Sequence, residues 1–437
     1  MTSAIADQSL PLALTPPTVR RCDNGLTIIT QQMPVDAVNL SLWLRVGSAV
    51  ESSAINGMAH FLEHMVFKGT EQLSAGEFER RIEARGGIAN AVTSQDYTQF
   101  YLTCAPPDFM ALAPLQIELV MNPLIAPAEF ERERSVILEE ILRADDNHSR
   151  RTFYRSMAMA FDRLPYRRSV LGTTAIIEAL SAEQMQSFHR YWYRPERITA
   201  VAVGNLPVET LIETVVNSFD QALNQPPAND SKRYAEANVY RSAPEIPYSE
   251  ITQQTYVDPA LHEARLILNW RVPGLADVEK TDALDVLASI LARGRLSRLV
   301  KDLRESRQLV SGIAASNLSY WQQGSFSIAA QLPVENLDVV QAAIIEHLTQ
   351  LHVTPVKPEE LQRVQTQVAN QYVFGSESPS DLAGLYGYYQ TLTGQLSHAL
   401  TYPAKVQQLT PQAIQTAAQI YLSPQAYGKV QILPQAA

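Results

Sequence analysis

The sequence predicts an α+β chain of two homologous domains, each a mostly antiparallel sheet with helices packed on one face. Three observations point there. The 437 residues exceed what a single hydrophobic core usually organises, so two cores of roughly 200 residues each are expected. Residues 224–250, NQPPANDSKRYAEANVYRSAPEIPYSE, carry four prolines and no apolar periodicity, the composition of an inter-domain linker. The two flanks share an element order: LSLWLRVGSAVESSAINGMAHFLEHMVFKGT lies on ARLILNWRVPGLADVEKTDALDVLASILARGR when Arg45-Val46 is matched to Arg271-Val272, an offset of 271 − 45 = 226. The expected division is a domain over 1–220, a linker over 221–250 and a second domain over 251–437.

In chain order, LTIITQQM and NLSLWLRV alternate or run apolar as strands do. GMAHFLEHMVFKG is apolar nearly all round, through Phe61, Leu62, Met65, Val66 and Phe67, and reads as a buried helix. AGEFERRIEARGG is an amphipathic helix stopped by glycine, and IANAVTSQDYTQFYLTCA alternates as a paired strand. PAEFERERSVILEEILRADDN is a helix opened by proline, with Phe130, Ile137, Leu138, Ile141 and Leu142 as its apolar stripe.

The composition, 46% hydrophobic and 18% charged, is that of a globular protein, and no apolar run reaches the roughly 18 residues of a membrane span. A net charge of −10 argues against a nucleic-acid binder, and an acidic wall would favour basic peptides. MTSAIADQSLPLALTPPTVRR has no cation before Arg20, unlike a secretory signal or an Arg-rich transit peptide. With only Cys22 and Cys104 present, the expectation is a cytoplasmic protein with two free thiols.

Two of the eight histidines stand in HFLEH, 60–64. Four residues apart on a helix, His60 and His64 share a face about 5–6 Å apart, with Glu63 beside them. Three satisfied core polar residues would be the plainer explanation. The chain itself argues against it, because the matched helix of the second half has Val286, Ser289 and Ile290 there and keeps only the apolar scaffold. Two imidazoles suit zinc, and a catalytic zinc takes three protein ligands and leaves one position for water. The helix beginning at Pro127 offers the third. At about 100° per residue, Glu133 and Glu140 lie on one flank of its apolar stripe, and Glu139 faces away. Matching Glu129 to Glu360 puts Val364 and Gln371 at their places, so the second half is blank here too. The residues alone leave open which carboxylate is the ligand.

His60-x-x-Glu63-His64, followed by Glu140 76 residues later (140 − 64), resembles the pitrilysin and insulinase family of inverted-motif zinc peptidases, the inverzincins. DNGLTII, GMAHFLEHMVFKGT, GGIANAVTSQDYTQFY, PYRRSVLGT and YWYRPERITAVAVGN follow in that family's order, and the likeness runs over nearly the whole chain. Length and the silent second half are similar to the processing-peptidase-like subfamily. The resemblance implies one Zn²⁺ per chain held by His60, His64 and Glu140, Glu63 as general base and Glu133 orienting a ligand from behind. It also implies an edge strand, NAVTS, that takes an extended peptide at Asn90 and Ala91.

The second half departs from the family pattern. Relatives carry an arginine there and, seven residues on, a tyrosine that steadies the developing oxyanion; this chain has Arg304 but Ser311. Either Tyr386, Tyr388 or Tyr389 of GLYGYYQ replaces it, or a second chain does. The resemblance therefore implies a clamshell homodimer, or a heterodimer with a zinc-less homologous chain. The function expected is a zinc metalloendopeptidase acting on extended or unfolded peptides. The alternative is a non-catalytic peptide-binding or scaffold subunit of a larger complex. A metal-dependent phosphatase or nuclease would instead cluster Asp around two ions.

Overall fold

A computed structural model describes residues 15–223 and 243–435, so the expected linker over 221–250 lies largely outside the described residues. The first sheet holds β1 (Thr18–Arg21), β2 (Thr27–Gln32), β3 (Val38–Leu44), β4 (Ile88–Thr93), β5 (Thr98–Cys104) and β6 (Ile198–Gly204) in the order β1-β2-β6-β3-β5-β4. The second holds β7 (Thr252–Val257), β8 (Ala264–Pro273), β9 (Gly312–Ser319), β10 (Gln323–Leu332) and β11 (Gly428–Leu433) in the order β7-β11-β8-β10-β9. Among the described residues only β2/β6 and β7/β11 pair in parallel. Apart from the extra β1, the two orders are the same topology written twice, with β3 answering β8 and β4 answering β9.

Each sheet packs its own helices on one face. Leu40, Leu42 and Leu44 of β3 face the larger first-half core with Phe61, Met65, Phe109 and Phe130. Leu266, Leu268 and Trp270 of β8 do the same for the second. The opposite faces are covered by exchange. The helix Pro379–Thr393 sends Leu382, Ala383 and Tyr386 onto Ile29, Trp43, Val201 and Val203 of the first sheet. The helix His148–Ala160 of the first half sets Met159 against Ile267, Val430 and Ile432 of the second. β3 is buried at every residue because both of its faces are covered, which is why it reads as a continuous apolar run rather than a clean alternation.

Polar clamps accompany the exchange. Arg271 of β8, buried, donates to the Ala160 carbonyl at 2.7 Å and pairs with Asp162 and Glu245 at 2.7 and 3.1 Å. Its counterpart in the repeat, Arg45, lies over the Trp321 ring at 4.4 Å. Asp96, just past β4, accepts from the Trp321 N–H at 2.8 Å and the Tyr166 hydroxyl at 3.1 Å. Burial pushes its carboxyl up to about 6, against those two bonds and the nearby Arg45. Among the described residues no helix is long and apolar enough to cross a membrane.

Candidate metal centre

The motif helix, Met58–Val66, starts where only glycine fits. Gly57 has φ +100°, and a Cβ there would stand 2.5 Å from the Leu171 carbonyl oxygen. The helix N-terminus is closed by a distant carboxylate. Glu51 accepts from the Gly57 N–H at 2.8 Å, the Ala59 N–H at 2.7 Å and the Asn56 amide at 2.9 Å. The two backbone donors are among those a helix start leaves unpaired, and a negative group there also meets the helix dipole. Burial nonetheless pushes Glu51 up to about 7. Nothing in the spacing of VGSAVESSAING announced this residue, because the chain reaches it through two single 3₁₀ turns that no helical period describes.

The carboxylate helix, Pro127–Asp146, crosses beside the motif helix. Phe61 stacks on Phe130 with centroids 4.6 Å apart, fixing the two helices against each other. Arg134 covers the other side of Phe130 at 4.9 Å and donates to the carbonyls of Glu178 and Leu180.

This packing brings His60, His64 and Glu140 together, with one ligand atom of each within 4.8 Å of the others. His60 Nε2 and His64 Nε2 stand 3.6 and 3.7 Å from Glu140 Oε2. Those separations are long for hydrogen bonds. Zinc bonds of about 2.0–2.2 Å in a tetrahedron set ligand atoms roughly 3.3 Å apart, a few tenths of an ångström from the two His–Glu140 separations. His64 Nδ1 lies 2.8 Å from Glu133 Oε1, which assigns the ring proton to Nδ1 and turns the Nε2 lone pair toward Glu140. The His60 Nδ1 is buried and has no hydrogen-bond partner, so its Nε2 is the nitrogen offered to the shared space. Burial, with His64 and Arg150 adding to it, pushes His60 down to about 3, which keeps the imidazole neutral as a ligand must be. The donor set and its spacing fit zinc.

Glu133 sits behind this group. Burial works to raise its carboxyl, but the bonds from His64 and from Lys68, at 2.7 Å, prevail and hold it below the ordinary carboxylate value. Glu63 faces the same space and is held by the Thr93 hydroxyl, which donates to Oε2 at 2.5 Å. Burial pushes Glu63 up, opposed by Thr93 and His64 and assisted by Glu140. Thr93 ends β4, the edge of the first sheet, whose outer side is unpaired. Ile88 and Val92 on that strand are exposed, and the Asn90 side chain accepts from the Ala91 N–H at 2.8 Å.

Arg304 belongs to the second half. It lies on a π-helical segment, Val300–Ser306, and its guanidinium is bound by Glu305 at 2.7 Å. Ser311 donates to Glu263 at 2.8 Å. The three tyrosines of GLYGYYQ belong to the exchanged helix. Tyr386 is fully buried, with its hydroxyl on Gln31 at 2.7 Å, Tyr388 packs edge-on to Tyr97, and Tyr389 lies tilted against His398. All three pack on the cluster that joins the two halves.

The family model described as Insulinase (Peptidase family M16) matches residues 27–174, and that described as Peptidase M16 inactive domain matches residues 179–368. An uncharacterized zinc protease of Mycobacterium tuberculosis is 31% identical over 348 residues, 79% of this chain and 77% of its own. The zinc protease PqqE of Helicobacter pylori is 26% identical over 376 residues, 84% of this chain and 81% of its own. A crystal structure of a protease from Helicobacter pylori shares the fold with a TM-score of 0.87 at 23% identity, covering 96% of this chain and 99% of that one. The two family models in tandem and the Mycobacterium relative show that the chain belongs to the insulinase family, peptidase family M16.

Proposed function

We propose that the chain is a zinc metalloendopeptidase that cleaves extended or unfolded peptides, with one zinc ion held by His60, His64 and Glu140. The observation that carries this is the Thr93–Glu63 bond, which joins an acid beside the three ligand atoms to the open edge of β4. Zinc, when bound, polarises the scissile carbonyl and lowers the pKa of a water toward about 7. Glu63 accepts the proton of the attacking water and returns it to the leaving amine. Thr93 aims the carboxylate while it does so. A peptide adds to β4 through its backbone, its carbonyl taking over the Ala91 N–H from Asn90. Readout through the backbone makes side-chain preference loose except where a pocket supplies it.

With Arg304 bound to Glu305 and Ser311 to Glu263, the donors for the developing oxyanion come from a partner. That partner is a second copy or a zinc-less homologous chain, closing as a clamshell. The names of the relatives, zinc proteases, support the chemistry. The free Cys22 and Cys104 support a reducing, cytoplasmic location, although the PqqL protease of Escherichia coli, a structural relative, is described as periplasmic.

The test is cleavage of an unstructured peptide, followed by mass spectrometry, for the zinc-loaded native protein and for Glu63→Gln. The native protein cleaves, and the variant keeps its zinc and loses activity by about 10²–10⁴-fold. A variant that still turns over would falsify the role of Glu63. A zinc-replete native preparation, with its partner, that cleaves nothing would support a peptide-binding or scaffold subunit instead.

A further inference from the structure

A cavity of about 600 Å³ opens beside the metal centre. Ile141 and Ala144 of the carboxylate helix line it, the first next in sequence to Glu140 and the second one turn beyond. Residues of the 171–175 segment line it too, and that segment packs on Asn56 and Gly57 at the start of the motif helix. Tyr256 of β7 contributes from the second half. The cavity thus lies against the helix that carries Glu140 and against the segment that packs on the start of the motif helix, and it reaches the second half at Tyr256. Its size admits one or two side chains of a bound peptide.

Its charge runs against that of the molecule. Arg150, Arg151, Arg155 and Arg167 line it, with Asp145 as the single lining acid, in a chain of net charge −10. Two of the four are already answered: Asp258 takes Arg151 at 2.7 Å and Arg155 at 3.5 Å. Arg167 donates to a neutral group, the Asp162 carbonyl. Arg150 lies near the Tyr154 ring, 5.8 Å from its centroid, and has no carboxylate partner among the described residues. A guanidinium fork in a partly enclosed cavity is matched by a carboxylate, which it binds through two parallel hydrogen bonds. A lysine or arginine side chain entering the same space would be repelled.

We propose that this cavity is a subsite for a carboxylate of the substrate, centred on Arg150, so that the chain selects acidic peptides. The inference rests on the peptidase reading above and reverses the preference for basic peptides that the net charge suggests. A side-chain carboxylate and a peptide C-terminus share the chemistry.

Binding is measured by fluorescence anisotropy on zinc-loaded Glu63→Gln protein with its partner, using short labelled Gly/Ser/Ala peptides. One peptide carries an internal Glu and an amidated end, one an internal Lys and an amidated end, one no charge, and one no charge but a free C-terminus; the Glu and Lys are moved along the sequence in turn. At low salt a carboxylate peptide binds about tenfold or more tighter than the Lys peptide, and Arg150→Glu reverses that order. Arg150→Gln, which keeps the shape, removes the preference without reversing it. Gain by the internal Glu identifies a side-chain subsite, and gain by the free C-terminus alone identifies a terminal one. Equal binding of Glu and Lys peptides at every position, or a preference untouched in both Arg150 variants, overturns the proposal. Since the protein used cannot turn over, failure of the native chain to cleave bears on the peptidase reading alone.

Discussion

Glu133 accepts from His64 at 2.8 Å and from Lys68 at 2.7 Å, and this pair of contacts decides which imidazole nitrogen faces Glu140. Replacing it by glutamine leaves a group that can accept one of the two bonds and carries no charge to hold the lysine. Glu133→Gln is expected to weaken zinc binding by about 10–100-fold, read by competition with a chromophoric chelator; unchanged affinity would remove its orienting role. At this scale the sequence was legible where one helix sets the spacing. His60, Glu63 and His64 on one helix, and Glu133 and Glu140 on another, follow from a turn of 3.6 residues. Thr93, Lys68 and Glu51 were not legible as part of the site. Thr93 reaches Glu63 across 30 residues and a sheet edge, and Lys68 lies beyond the last regular turn of the motif helix. A contact made by packing leaves no period in the sequence.

Elements were read more completely than their partners. The strands and the two helices of the site carry local patterns, whereas the edge position of NAVTS came from the family resemblance alone. What no pattern states is which sheet an apolar helix face will cover, and the exchanged helices were therefore missed. The helix Pro379–Thr393 shows the consequence, since its tyrosines looked spare in sequence and prove to be its docking surface. The same helix carries Gly387, where an added Cβ would stand 2.0 Å from the Trp43 indole nitrogen and 2.3 Å from its Cδ1. Alanine in place of glycine inside a helix normally stabilises by about 1 kcal/mol. Here an indole enclosed on both sides must move, and overpacking of this kind costs roughly 1–3 kcal/mol. The collision is expected to win. Gly387→Ala lowers the midpoint of denaturant unfolding, and a raised midpoint would show that the exchanged helix is not held against Trp43 as described.

The whole molecule is one topology used twice, with the candidate metal ligands in one copy. Its repeat was visible in sequence because strand, loop and buried helix recur at a nearly constant offset, and the structure returns the same strand order in both sheets. Where the first copy places imidazoles, the second places Val286 and Ile290, both fully buried, and Val364 stands where Glu133 would be. With Ser289 and Gln371 at the places of Glu63 and Glu140, the second copy offers neither an imidazole nor a carboxylate at these positions. How the halves meet was not legible, since Arg271, Asp96 and Glu245 become partners only once both sheets are assembled. The asymmetry leads to a count. Metal analysis of the purified chain after loading and gel filtration, with Glu140→Ala alongside, is expected to find one zinc per native chain and less than about a tenth of that in the variant. Two zinc ions per chain, or full occupancy retained in Glu140→Ala, would contradict a single centre built by two helices of the first half.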